Sequence, residues 1–333
     1  MEKDLSAREQ AVLFQKKGVL GLRDILTKTN SMLITDLDDT VKEAKKHLWA
    51  DGKERKLFPE TVIAMLAIHN SGAKLGIATE QAFSQIEPFI SDISQLVIGS
   101  KDPYELFNGL IVGEGGSVVN SKERGQVILA PKRAIEDREK IVNWLWENVI
   151  PSKIEGWSIL NGTNPDQATY VQLPPKEDVC IATASLWEMG PHISEKPEYI
   201  DRYKFIEATI RQALTSLGIK SLTTFEAGNG TLRIVPKYVN KAHSLELLSA
   251  YGVLELTNTV YSCDGPNDIK LAEKLKTKGG GVIAVANAVP KLHEISDYSA
   301  TLPAGKGFAE AIFQIFPLEY LEAQKVLKKY KLV

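Results

Sequence analysis

Hydrophobic positions change period several times along the chain, and each change marks an element. Between residues 6 and 28, Val12, Leu13, Val19, Leu20, Leu22, Ile25 and Leu26 form one broad apolar face at helical spacing, and Ser6 can cap with Glu9 three positions on. That pattern predicts an N-terminal helix. Met32-Leu-Ile-Thr-Asp36 is a short apolar run that ends abruptly in acidic residues, and it predicts a buried strand. Asp51-Gly52 signals a hairpin turn, and Pro59 suits the first turn of a helix with apolar positions at Val62, Ile63, Leu66 and Ala67. Lys74-Leu-Gly-Ile-Ala-Thr79 predicts a second strand and Gln95-Leu-Val-Ile-Gly99 a third. Strands alternating with helices imply an α/β fold, a doubly wound and mostly parallel sheet with helices on its faces.

Between about residues 119 and 235 the texture becomes alternating, as in Val179 to Ser185 and Thr231 to Val235, with two helical patterns between. The expectation is an inserted α+β domain, residues 119–235, with mostly antiparallel strands. Trp144, Trp146, Trp157 and Trp187 lie in it, leaving only Trp49 outside. From Lys241 the strand-helix alternation returns, with strands near Thr259 to Ser262 and Val282 to Ala286 and a last helix from Pro317. The parallel core is thus expected to be discontinuous, residues 1–118 and 236–333. Gly109 to Gly116 lacks the spacing of a dinucleotide site and reads as the entry hinge to the insert.

Composition narrows the partners. Hydrophobic residues make up 44% and charged residues 25% of the 333, as in a folded globular protein, and the net charge of -2 gives no electrostatic argument for nucleic acid or an anionic membrane. Charges run through the first 28 residues, so no signal peptide is expected, and the longest nearly apolar runs fall far short of a membrane span. Transporting ATPases are thereby excluded. Cys180 and Cys263 cannot make a disulfide framework or a thiolate zinc site, which fits a reducing, cytoplasmic setting. The Asn161-Gly and Asn229-Gly pairs then read as tight turns, not glycan acceptors.

Two acidic clusters carry the candidate chemistry. Asp36-Leu-Asp38-Asp39-Thr40 sits where the first core strand ends, and in open α/β sheets ligands bind beyond the carboxyl ends of strands. Two carboxylates one residue apart can divide labour there, one as nucleophile and magnesium ligand, the other exchanging protons with the leaving group. Asp264-Gly-Pro-Asn267-Asp268 follows a second predicted strand, and two acidic strand ends side by side suit magnesium. Neither has the calcium-loop pattern. The histidines at 47, 69, 192, 243 and 293 show no zinc-like spacing.

In chain order come Asp36-x-Asp38-x-Thr40, Thr79 at the next strand end, Lys241 opening a helix, and Asp264-Gly-x-Asn267-Asp268. This set resembles the haloacid dehalogenase superfamily from about residue 32 to 312. The insert between Thr79 and Lys241 and the stretches Val282 to Leu292 and Gly305 to Ala311 resemble its type IIB, C2B-capped, sugar-phosphatase-like subfamily. The resemblance implies that Asp36 is a nucleophile forming an aspartyl phosphate and Asp38 a general acid and then base. It implies that Thr79 and Lys241, with Asn267, bind the substrate phosphate. Magnesium would be held by Asp36, the Asp38 backbone carbonyl and Asp264, with Asp268 in support.

Three departures stand out. Glu80-Gln81 replaces the subfamily's common Gly-Arg after the Thr, removing a cation and placing a carboxylate beside the phosphate position. Asp39 replaces a common Gly, and Cys263 stands where Gly is usual. The 30 residues ahead of the first strand exceed the family's usual length, and two roles stay open for them: covering the sheet or forming a homodimer contact. The expected function is magnesium-dependent hydrolysis of a small phosphorylated metabolite, a sugar phosphate foremost. The alternatives are a phosphomutase of related fold and a non-catalytic regulator that binds such metabolites.

Overall fold

The computed structural model describes residues 7–43, 47–48, 53–81, 83–149, 158–159, 170–172, 182–185, 197–226 and 231–330. In chain order these form helix α1 (Ala7–Leu26), strands β1 (Met32–Thr35), β2 (His47–Leu48) and β3 (Glu54–Arg55), helix α2 (Pro59–Ser71), strand β4 (Lys74–Ala78) and helices α3 (Phe83–Ile98) and α4 (Pro103–Leu106). Strands β5 (Ile111–Gly113), β6 (Val118–Ser121) and β7 (Gly125–Ile128) precede helix α5 (Lys132–Val149), strands β8 (Ser158–Ile159), β9 (Tyr170–Gln172) and β10 (Ala182–Ser185), helix α6 (Pro197–Ser216), and strands β11 (Leu222–Glu226) and β12 (Thr231–Pro236). Helix α7 (Lys241–Ala250), β13 (Thr259–Cys263), α8 (Ile269–Lys278), β14 (Gly281–Ala284), α9 (Pro290–Ile295), β15 (Tyr298–Ser299), α10 (Ala304–Ile315) and α11 (Pro317–Lys329) complete the chain. It divides into two compact units, one from residues 1–79, 86–127 and 241–333, the other from 80–85 and 128–240.

The first unit is built on an eight-stranded sheet in the order β15-β14-β13-β1-β4-β5-β6-β7. Pairing is parallel from β15 through to β5 and antiparallel between β5 and β6. Strand β1 lies in the middle, with Ile34 between Tyr261 and Gly76, and all four of its residues are buried. A strand covered on both faces is nearly all apolar, as in Met32-Leu33-Ile34, and the buried Thr35 hydroxyl is satisfied by donating to the Asp36 carbonyl at 2.8 Å. Helix α2 starts with Pro59 in its first turn, ends on Gly72 at φ 83, and packs on α10, α11 and β4.

Helix α1 packs on β13, β14, β15 and α10, so of the two roles left open for the N-terminal segment, covering the sheet is the one observed. Gly18 permits it: a Cβ there would lie 1.8 Å from the Asp297 carbonyl oxygen.

Two expectations are corrected. Gln95 to Gly99 is not the third strand, since Gln95 to Ile98 finishes α3 and Gly99 follows it. Ile86, Ile90, Ile93 and Val97 are buried at intervals of a helix face, which a short apolar run read alone does not reveal. Nor is Gly109 to Gly116 a hinge. It contains β5, which pairs with β4 through Ile77 and Ile111, followed by a helical turn at Glu114–Gly116. Its glycine serves close packing, because a Cβ on Gly109 would meet the Leu75 carbonyl at 2.8 Å.

In the second unit the strand order is β11-β12-β10-β9-β8, antiparallel except for β8 with β9. Helices α5 and α6 pack on β11 and on each other. Asp51-Gly52, Asn161-Gly162, Asn229-Gly230, Trp49, Trp157 and Trp187 lie outside the described residues. Among those described, no helix is long and apolar enough to cross a membrane.

Candidate active site

Strands β1 and β13 are neighbours, so the residues that follow them emerge together at the carboxyl edge of the sheet. The Asp36 N–H donates to the Ser262 carbonyl at 2.8 Å, fixing the nucleophile candidate as a continuation of β1. The chain then turns tightly: Lys42 N–H bonds to Leu37 O at 2.8 Å, Asp39 N–H bonds to Lys42 O at 2.8 Å, and Asp39 takes φ 55. That is the left-handed region, where glycine is at ease and Asp is among the better-tolerated alternatives. The turn brings the Thr40 hydroxyl to Asp264 Oδ1, to which it donates at 2.6 Å. Asp38 projects outward, half-exposed, with Lys42 Nζ 3.6 Å from its carboxylate.

Lys241 is the first residue of α7, and it is only 1% exposed. Its ammonium donates to Asp36 Oδ1 at 2.7 Å and to Asp268 Oδ1 at 2.8 Å. A solvated helix residue would do neither. Asp268 also accepts from the Tyr261 hydroxyl at 2.6 Å and, on its other oxygen, from the Gly265 N–H at 3.1 Å. With three protein donors on its carboxylate, Asp268 is bound chiefly to Lys241, Tyr261 and its own turn. Gly265 leaves room for Asn267: a Cβ there would lie 2.3 Å from Asn267 Oδ1, and that side chain would have to shift.

Oxygens of Asp36, Asp264 and Asp268 lie within 4.8 Å of one another. Burial pushes the Asp36 carboxyl well above the usual carboxylate range, against the pull of Lys241, with Asp268 and Asp264 adding to the rise. Burial likewise pushes Asp264 up to about 7, the Thr40 hydrogen bond opposing. One ammonium thus faces three carboxylates, a group short of positive charge. Hard oxygen donors with excess negative charge are what magnesium takes, and the donor set fits that ion. Cys263 is no part of it: the thiol is fully buried and points at the Ile283 carbonyl, 3.8 Å away.

Thr79 directly follows β4, the other neighbour of β1, and is buried at the same sheet edge. Its backbone is held by β5 and the turn after it, with the N–H on Val112 O and the carbonyl accepting from Gly115 N–H. Asn267 is half-buried in the turn Pro266–Asp268. The structure therefore joins Asp36, Lys241, Asp264 and Asp268 directly, sets Thr79 on their edge, and leaves the Asp38 carboxylate outside the cluster. Three partners were not foreseen: the Thr40 hydroxyl on Asp264, the Tyr261 hydroxyl on Asp268, and Asn287. The Asn287 amide donates to Asp39 O at 2.9 Å, reaches Asp264 Oδ2 at 3.4 Å, and accepts from Ala304 N–H at 2.7 Å.

A family model described as haloacid dehalogenase-like hydrolase matches residues 33–312. A curated relative, phosphoglycolate phosphatase from Methanothermobacter thermautotrophicus, is 33% identical over 104 residues, which are 31% of this chain and 43% of that protein. The match thus spans less than half of the relative's length. A solved haloacid dehalogenase-like hydrolase from Bacteroides thetaiotaomicron superposes with a TM-score of 0.55 at 16% identity, covering 86% of this chain and 100% of that one. The C-terminal domain of trehalose-6-phosphate phosphatase from C. albicans gives 0.57 at 14% identity, over 90% and 97%. At such identities these two show the fold. Since the family match runs from within β1 into α10 and takes in both acidic strand ends, the chain belongs to the haloacid dehalogenase-like hydrolase family.

Proposed function

We propose that this protein is a magnesium-dependent phosphomonoesterase that works through an aspartyl phosphate on a small phosphorylated metabolite, a sugar phosphate foremost. The observation that carries the reading is the buried Asp36 carboxylate, bonded to Lys241 at 2.7 Å and grouped with Asp264 at a strand edge. Similarity to a phosphoglycolate phosphatase supports a small phosphorylated metabolite as substrate, while the preference for a sugar phosphate rests on the subfamily resemblance. The Asp38 carboxylate is half-exposed, with Lys42 Nζ 3.6 Å away, and this access to solvent suits it to proton exchange.

In this reading an Asp36 oxygen attacks phosphorus, the ester oxygen leaves, and Asp38 gives that oxygen its proton. Asp38, now a carboxylate, takes a proton from water as the water attacks the aspartyl phosphate, releasing phosphate and restoring Asp36. Lys241 offsets the charge of Asp36 and of the transferring group, which Thr79 and Asn267 help to bind. Asp36, the Asp38 carbonyl and Asp264 would hold magnesium, which when bound neutralises phosphate charge. Asp268 supports Lys241. We read residues 119–235 as a C2B-type cap that selects substrates. Glu80, directly after Thr79, disfavours substrates with a second anionic group near the phosphate.

The test is phosphate release from an aryl phosphate and a panel of phosphorylated metabolites, with and without magnesium. Activity is expected to need magnesium, to rank neutral sugar monophosphates above bisphosphates, and to fall by several powers of ten in Asp36→Asn. Near-normal turnover by Asp36→Asn would sink the aspartyl-phosphate mechanism.

A further inference from the structure

Asn287, in the loop after β14, has no part in the steps above, yet its amide joins three separate segments of the site. Its donor end holds Asp39 O and Asp264 Oδ2, and its acceptor end holds Ala304 N–H. Among described residues other than glycine, positive φ occurs at Asn30, Asp39, Glu114 and Ala304. Asn287 clamps the backbone of two of these four, Asp39 at φ 55 and Ala304 at φ 47. Such conformations are unfavourable for residues with a Cβ and persist only where neighbours over-determine them. Helix α10 braces the same turn from its own first residues: a Cβ on Gly305 would meet Val41 O at 2.9 Å and Thr61 Oγ1 at 2.2 Å.

The chemistry of the amide suits the place. Its two N–H groups serve two acceptors and its oxygen one donor, without adding charge to a site already rich in carboxylates. We propose that Asn287 is a positioning residue, a latch that fixes the left-handed turn at Asp39 against Asp264 and the start of α10. It thereby holds the Asp38 side chain and the Asp264 carboxylate at a constant spacing. The role in turnover rests on the phosphatase reading of this site; the latch itself does not.

Hydrogen exchange and steady-state kinetics on two variants test it. Asn287 is exposed, so neither substitution removes core packing. Asn287→Ala removes both ends of the latch, and exchange is expected to quicken in the segments 37–43 and 302–307. Asn287→Asp keeps the acceptor for Ala304 N–H and loses the donor, so only 37–43 should quicken. With an aryl phosphate, kcat of Asn287→Ala is expected to drop roughly ten- to a hundredfold with KM little changed, the scale of a small misplacement. Adding Asp39→Gly to Asn287→Ala should recover part of that loss, because glycine takes this φ without strain.

Unchanged exchange at 37–43 in both variants overturns the latch. Faster exchange with full kcat, or no recovery with Asp39→Gly, overturns the positioning role. A parent protein that hydrolyses no phosphate ester overturns the phosphatase reading and the positioning role with it, while the exchange pattern still decides the latch.

Discussion

The Lys241 ammonium, 1% exposed, is bonded to two carboxylates and reaches the Tyr261 hydroxyl at 3.4 Å. In Lys241→Ala, Asp36 and Asp268 would face each other without a counter-charge. Removing one partner of a buried ion pair costs about 3–5 kcal/mol, so the thermal midpoint should fall. Turnover should fall too, even at saturating magnesium. Asp264→Asn differs, since the amide oxygen still accepts from Thr40 but one carboxylate of the cluster has lost its charge. It should raise the magnesium concentration needed, with turnover returning as magnesium is added. Kinetics at graded magnesium concentrations check both, and identical magnesium dependence in parent and variants would dissolve this division of labour. Asp36, Thr79, Lys241 and Asp264 stood out as candidates in the sequence because their order along the chain is distinctive, and the structure gathers Asp36, Lys241 and Asp264. Tyr261 was not, since in a strand it reads as one more core aromatic. Asn287 was not, because its partners lie 17, 23 and 248 positions away and no spacing rule links them.

Elements were legible where period and flanks agreed. The strand β1, the helix opened by Pro59 and the helix opened by Lys241 each have an abrupt start or stop in polarity. The end of α3 and strand β5 were misread because one is a dense apolar run and the other a glycine-rich one, and each texture fits two structures. Glycine at a close approach is itself testable. Gly18→Ala gains helix propensity of about 1 kcal/mol. Its Cβ, however, must clear a carbonyl 1.8 Å away, so α1 has to lift from the sheet. A net loss of roughly 1–3 kcal/mol is expected in urea unfolding, with kcat retained. A stabilised variant would show that α1 is seated otherwise.

Helix α5 gives a second case. Asp137 is 1% exposed and bonded to Lys140 at 2.9 Å and to Ser221 at 2.7 Å, with Arg133 Nε at 3.2 Å. Burial raises its carboxyl, but the Lys140 and Ser221 hydrogen bonds and the Arg133 charge overcome that and leave it below the ordinary value. The folded form therefore binds the proton less tightly than the unfolded chain. Its stabilisation is present above the unfolded pKa of about 4 and is lost as pH falls through the folded one. Acid unfolding followed by fluorescence should show Asp137→Asn weaker at neutral pH and with a shallower acid-side slope. Parallel acid curves for parent and variant would remove this account.

At the scale of the molecule, the two units differ in what they report. The carboxylate cluster lies in the first unit, whereas Trp144 and Trp146 are on α5 of the second, and four of the five tryptophans in the sequence fall between residues 128 and 240. Magnesium at a hundred times its dissociation constant would stabilise its own unit by about 2.7 kcal/mol. Melting followed by far-ultraviolet dichroism should then move up further than melting followed by tryptophan emission. Coincident transitions, equally shifted, would mean that the units unfold as one.

The pairing of Met32 with Thr259 carries a consequence for synthesis on the ribosome. One neighbour of β1, strand β4, emerges soon after it, while the other follows only after roughly 220 more residues, about 10–45 s at ordinary elongation rates. Throughout that interval the nascent chain holds a mostly apolar strand with one edge unpaired, the kind of edge that recruits other strands. Its most hazardous moment therefore falls during translation, while the second unit is being made and before Thr259 leaves the exit tunnel.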